Sequence, residues 1–132
     1  MLKYLLVLLL ALPGLAFGQE LDVAALKAQL PKKIDEYIQV LETGNFEGKE
    51  ALFFPRYQRE RKSFPRKWQA FLKKMASSRQ NTLAAFKYIK QQKPAYFSTN
   101  GQFAGADYFN LPAEFEYRRI RAKLIDGTWY LN

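Results

Sequence analysis

The chain has 132 residues, with 21 Lys and Arg against 12 Asp and Glu, a formal charge of +9, and neither His nor Cys. Zinc sites built on Cys or His, thiol catalysis and Ser-His-Asp catalysis each lack a required part. The composition does not exclude a metal held by carboxylates alone, but no calcium-loop pattern is present, and no metal site and no cofactor is expected. What stays open is the chemistry of carboxylates, tyrosines or lysines, or binding without chemistry.

Residues 1–18 (MLKYLLVLLLALPGLAFG) join an early Lys to an apolar run from Leu5 to Leu12, a Pro13-Gly14 break and the small residues Ala16 and Gly18. That order is a secretory signal peptide, cut ahead of Gln19, where the peptidase accepts only small side chains just before the bond. The alternative is an uncleaved anchor, but the run falls short of the ~20 residues that span a bilayer, and no Cys is present to carry a lipid. Residues 19–132 are then a single mature domain without a transmembrane segment, keeping 20 basic against 12 acidic residues because only Lys3 is lost. A secreted chain without disulfides must draw its stability from an apolar core. The short signal, the missing Cys and the missing Asn-x-Ser/Thr sites point to secretion into a bacterial periplasm.

In chain order, Leu26, Leu30, Ile34, Tyr37, Ile38 and Leu41 recur at three- and four-residue steps, which predicts a helix from Leu21 to Thr43. Asp22 can cap its start and Gly44-Asn45 its end, while Pro31 inside the run predicts a kink or two abutting helices. A short helical turn is expected within Phe46 to Phe54, ending at Pro55. Ser63 and Pro65 open a second long helix with Phe64, Trp68, Phe71, Leu72 and Met75 on one face.

After Ser77-Ser78 the period reads as alternating. Thr82 to Gln91 is expected to be a strand, with more strand material at Tyr96 to Phe97 and Phe103 to Leu111. From Glu114 the alternation slips by one residue at Arg118-Arg119, as a β-bulge would make it. Asp126-Gly127 is a two-residue hairpin turn leading into Thr128-Trp129-Tyr130-Leu131. The fold class is therefore α+β, N-terminal helices packed on a strongly bent antiparallel β-sheet.

The segment Tyr37 to Phe46 (YIQVLETGNF) and the closing run Leu124 to Leu131 (LIDGTWYL), within this order of elements, resemble the nuclear transport factor 2-like, or cystatin-like, superfamily of cone-shaped domains. The resemblance implies a pocket between the helices and the concave sheet face, used by some members for isomerase, cyclase, hydrolase or dehydratase reactions. It also implies that a homodimer through the sheet is an option. Here Tyr37, Trp68, Phe86, Tyr88, Tyr108, Phe115 and Tyr117 would line such a pocket. The Asp, Tyr and protonated-carboxyl set of the ketosteroid isomerases finds no residue-by-residue match. Among carboxylates beside sheet aromatics, Glu114 and Glu116 alternate away from Phe115 and Tyr117 toward solvent, whereas an inward-facing Asp107 in an apolar pocket would meet the condition for a general base.

Charge is concentrated elsewhere. Arg56, Arg59, Arg61, Lys62, Arg66, Lys67, Lys73 and Lys74 stand against Glu60 alone, giving +7 within 19 residues. Such a cluster is either a solvated face or a contact for an anionic partner. An anionic envelope component or an acidic protein fits the compartment, whereas export makes nucleic acid a poor physiological partner. A second group, Arg118, Arg119, Arg121 and Lys123, is explained by cross-strand ion pairing beside Glu114 and Glu116, and would extend the first if the sheet brought them together. The expectation is an exported, non-catalytic binding or accessory domain of the cell envelope. The alternative is a small-ligand-binding protein or acid/base enzyme using the cone pocket.

Overall fold

Asp22 begins the first helix by accepting a hydrogen bond from the Ala25 amide at 3.2 Å. The computed structural model describes residues 22–94, 96–100 and 103–132. The signal segment over residues 1–18 and its cleavage ahead of Gln19 lie outside the described residues. Helix α1, Val23–Thr43, runs through Pro31 as one element. Pro31 and Lys27, whose carbonyl the proline leaves without an amide partner, are both exposed, so water can serve the freed acceptor. Gly44 ends the helix in the left-handed region (φ 68°), its N–H reaching the Val40 carbonyl at 2.9 Å. Arg79 then donates to the Leu41 and Glu42 carbonyls at 2.9 and 3.0 Å, tying this end of α1 to the longest helix.

Two single-turn helices follow, α2 (Glu50–Phe53) and α3 (Arg56–Arg59). Helix α4, Phe64–Lys90, has 27 residues and is about 40 Å long at the usual rise. The strand expected over Thr82 to Gln91 is instead the C-terminal part of this helix. Its buried positions Met75, Ser78, Thr82, Leu83, Phe86 and Ile89 continue the helical period, and Ser77 and Ser78 do not break it because both hydroxyls donate to the Lys74 carbonyl within the helix.

The sheet has four antiparallel strands in the order of the chain: β1 (Tyr96–Asn100), β2 (Phe103–Tyr108), β3 (Ile120–Ile125) and β4 (Thr128–Leu131). Asp126 and Gly127, both at positive φ (50° and 76°), make the two-residue turn between β3 and β4. The strand and bulge expected from Glu114 to Arg119 are replaced by a loop strapped to α4. The Asn81 side chain donates to the Glu114 carbonyl and accepts from the Glu116 amide at 2.8 Å, so these backbone groups are bonded by a helix side chain and not by a neighbouring strand.

Alternation in β3 turns Ile120, Ala122 and Leu124 inward and Arg121 and Lys123 outward. Ala104, Ala106 and Tyr108 of β2 and Trp129 and Leu131 of β4 join the inner face, where they meet Leu30, Ile34, Tyr37 and Leu41 of α1 and Met75, Leu83, Phe86 and Ile89 of α4. Two buried polar groups fix this packing. The Trp129 indole donates to the Leu26 carbonyl at 3.2 Å, and the Tyr37 hydroxyl donates to the Leu52 carbonyl at 2.8 Å while accepting from the Leu131 amide at 3.2 Å. Burial pushes the Tyr37 phenol well above its ordinary pKa.

Candidate functional site

The basic segment begins where the chain leaves α2. Pro55 is buried and turns the chain into α3, and Ser63 and Pro65 start α4. Beneath lies a set of packed rings: Phe53 meets Phe46, Trp68 and Phe71 at centroid distances of 5.8, 6.3 and 4.6 Å. Phe54 meets Phe64 and Trp68 edge-on at 5.7 and 5.9 Å, and Trp68 stacks on Phe71 at 5.3 Å. Trp68 is buried in this set, while Phe53, Phe54, Phe64 and Phe71 are half-buried.

Above these rings Arg56, Arg61, Lys62, Arg66, Lys67, Lys73 and Lys74 are exposed, and Arg59 is half-buried. Among the described residues Arg56 is the one member of the eight with an ion pair, to Glu60 at 2.7 Å, and that contact raises its pKa. Two further cations rest on ring faces, Arg61 over Tyr57 and Lys74 over Tyr117, each at 5.7 Å. The Arg59 Nε is shielded with no acceptor among the described residues, a donor left unmet at a cost of about 1–3 kcal/mol.

Of the seven aromatics expected to line a pocket, Tyr37, Phe86 and Tyr117 do share one cavity of about 140 Å³, bounded by α1, α4 and the sheet. Its other walls include Phe53, Phe71 and Met75, with Lys74 at the edge and the hydroxyls of Thr82 and Tyr117 3.2 Å apart. Trp68 stands behind Phe71. Tyr108 lines a separate groove with Lys27, Leu30 and Phe97, and burial pushes its phenol up to about 12. Tyr88 is exposed on α4, packed edge-on against Phe115 at 5.7 Å. Phe86 and Tyr88 would share one face only in the strand expected over Thr82 to Gln91, which the helix replaces.

Asp107 stands on the outer face of the sheet, away from that cavity. Both its oxygens accept from Arg119 at 3.1 Å, and Arg121, its register partner on β3, adds a contact at 3.4 Å. Glu114 and Glu116 are exposed, as expected, but the ion pairs of Arg119 and Arg121 are with Asp107. Among the described residues no group of three or more carboxylates is placed to hold a metal ion.

The sequence left open whether the two basic groups meet. The segments that carry them come together, though no cation of the first group lines the shared cleft: Arg121 and Lys123 of β3 border a space of about 300 Å³ with Tyr57 and Gln58 of α3 and with Tyr130 of β4. Tyr57 and Gln58 carried no signal beyond their position between Arg56 and Arg59. Their approach to β3 is a contact across more than sixty residues of chain. No protein-family model, curated protein or solved structure matches the chain. No helix among the described residues is long and apolar enough to cross a membrane.

Proposed function

We propose that this protein is an exported, non-catalytic binding or accessory domain of the bacterial cell envelope, with a nuclear transport factor 2-like cone as its fold. Its working surface is the basic segment from Arg56 to Lys74, which meets an anionic envelope surface. The observation that carries this reading is the exposure of seven of the eight cations above one packed set of aromatic rings. Like charges gathered on a firm support repel one another and add little to folding, so an anionic partner is what gives them a use.

Co-sedimentation with phosphatidylglycerol-containing and purely phosphatidylcholine vesicles, across a salt series, tests it. Binding should require the anionic lipid and fade as salt rises. Changing Arg61, Lys62, Arg66 and Lys67 together to Glu should lower vesicle affinity about a thousandfold, since each basic residue contributes ~1 kcal/mol at an anionic surface. The melting temperature should stay nearly unchanged, because all four side chains are exposed and without ion pairs among the described residues. Retained vesicle binding in that variant would remove the segment from the account.

A second reading is favoured by the cavity of about 140 Å³, a volume close to that which admits benzene elsewhere. It would serve a small apolar ligand. Its lining includes no carboxylate side chain, and Asp107 is held outside it, which favours carriage over acid/base catalysis.

A further inference from the structure

The cleft between α3 and the outer face of β3 and β4 has a composition unlike that of the basic segment beside it. Its floor is apolar, from Phe53, Phe54 and Ile125. Its polar side chains are Arg121, Lys123, Tyr57, Gln58, Tyr130 and Asn132, every one of which can donate a hydrogen bond, and no carboxylate side chain lines it. Arg121 and Lys123 are two residues apart on one strand face, which sets them roughly 6–7 Å apart along β3, and Tyr130 is the register partner of Lys123. Asp107 lies 3.4 Å from the Arg121 Nε while its two oxygens accept from Arg119, so Arg121 is held in place beside a carboxylate that already has its hydrogen bonds. Lys123 has no ion pair among the described residues.

We infer that this cleft is a binding site for an organic phosphate monoester. A phosphate monoester carries about −1.5 to −2 near neutral pH, which matches the two cations Arg121 and Lys123, and its three terminal oxygens can accept from a guanidinium, an ammonium and an amide together. The apolar floor takes the organic part. The volume, about 300 Å³, is at the small end of ligand sites and suits a body of one ring or a short chain. None of the eight cations of the basic segment lines the cleft, so the site stands or falls apart from the vesicle-binding surface. The same chemistry reaches it from a soluble phosphate ester or from the headgroup of a phosphatidate.

Titration of the ¹⁵N-labelled purified protein with phenyl phosphate, followed by NMR, decides it. Saturable shifts are expected at Tyr57, Gln58, Lys123 and Tyr130, with inorganic phosphate and benzyl alcohol each binding more weakly because each carries half of the ligand. Lys123→Gln and Arg121→Gln should each weaken phenyl phosphate by about tenfold or more, the scale of one charge-assisted hydrogen bond, with the near-ultraviolet circular dichroism unchanged. The fourfold Glu variant of the basic segment should bind phenyl phosphate as before. If vesicles of phosphatidate in phosphatidylcholine also lose binding in Lys123→Gln, the source is a lipid headgroup; if only phenyl phosphate does, it is a soluble ester. Shifts confined to residues 61–74, no saturation, or unchanged affinity in both Gln variants would overturn the site while leaving the vesicle-binding reading intact.

Discussion

The two halves of α4 follow one helical period and end in different surroundings. Met75, Leu83, Phe86 and Ile89 join the continuous core that includes Ile120, Leu124 and Trp129 of the sheet. Phe64, Trp68 and Phe71 face the short Phe46 to Phe54 segment, and there the rings pack mainly on one another, several of them half-buried. The C-terminal half is bound by the fold. The N-terminal half is a support on which cations stand exposed. An amphipathic pattern specifies that a face will be covered, and the depth of the cover depends on what the rest of the chain places opposite.

The sharpest way to break this contrast is to remove one tryptophan from each region. Trp129→Ala should cost about 4 kcal/mol, the scale of a large aromatic lost from a core, and it also leaves the Leu26 carbonyl without its indole donor. Trp68→Ala should cost about 2 kcal/mol, nearer the value of simply burying such a side chain. Equal losses in guanidinium unfolding would mean that the aromatic platform is as integral to the fold as the sheet core.

Alkaline unfolding sharpens the contrast from the core side. Tyr37 is neutral when protonated and its folded pKa is raised, so its contribution is complete below the unfolded value near pH 10 and is lost as pH climbs above it. Each further unit should cost about 1.4 kcal/mol, and the raised Tyr108 acts with the same sign. Urea unfolding at pH 9, 10 and 11 should show a shallower alkaline decline in Tyr37→Phe than in the parent; equal slopes would contradict the burial of this phenol.

The smallest effect is expected at the junction of α1 and α4. Gly44→Ala forces an alanine into positive φ and sets its Cβ 2.9 Å from the Arg79 Nη1, for a loss of about 1 kcal/mol. In an Arg79→Ala background the steric part should vanish and the conformational part remain, measurable as a difference between two unfolding midpoints.

Local signals were read correctly at both ends of α1, at the start of α4 and at the last hairpin: Asp22 caps α1, Gly44 ends it, Pro65 stands in the first turn of α4, and Asp126-Gly127 turns the hairpin, because each acts on backbone groups within a few residues. Pro31 and Ser77-Ser78 did not interrupt their helices. The reading failed over Thr82 to Gln91, where apolar residues occur at both even and odd spacings and satisfy two periods at once. Only packing against α1 and the sheet selects the helix. It failed again over Glu114 to Arg119, whose backbone partners come from Asn81 on α4, more than thirty residues earlier.

The sequence by itself determined the charge, the lack of thiol and imidazole, both ends of α1, the start of α4 and the final turn, since these follow from residue type and near neighbours. The tertiary structure decided that Asp107 is clasped by Arg119 and Arg121 outside the aromatic cavity, that Tyr37, Phe86 and Tyr117 share that cavity while Tyr88 and Tyr108 do not, and that β3 brings Arg121 and Lys123 to Tyr57 and Gln58. Each of these is a meeting of side chains far apart along the chain. Such a meeting is set by which faces must be buried together, and a pattern of spacings along one strand or helix does not contain it.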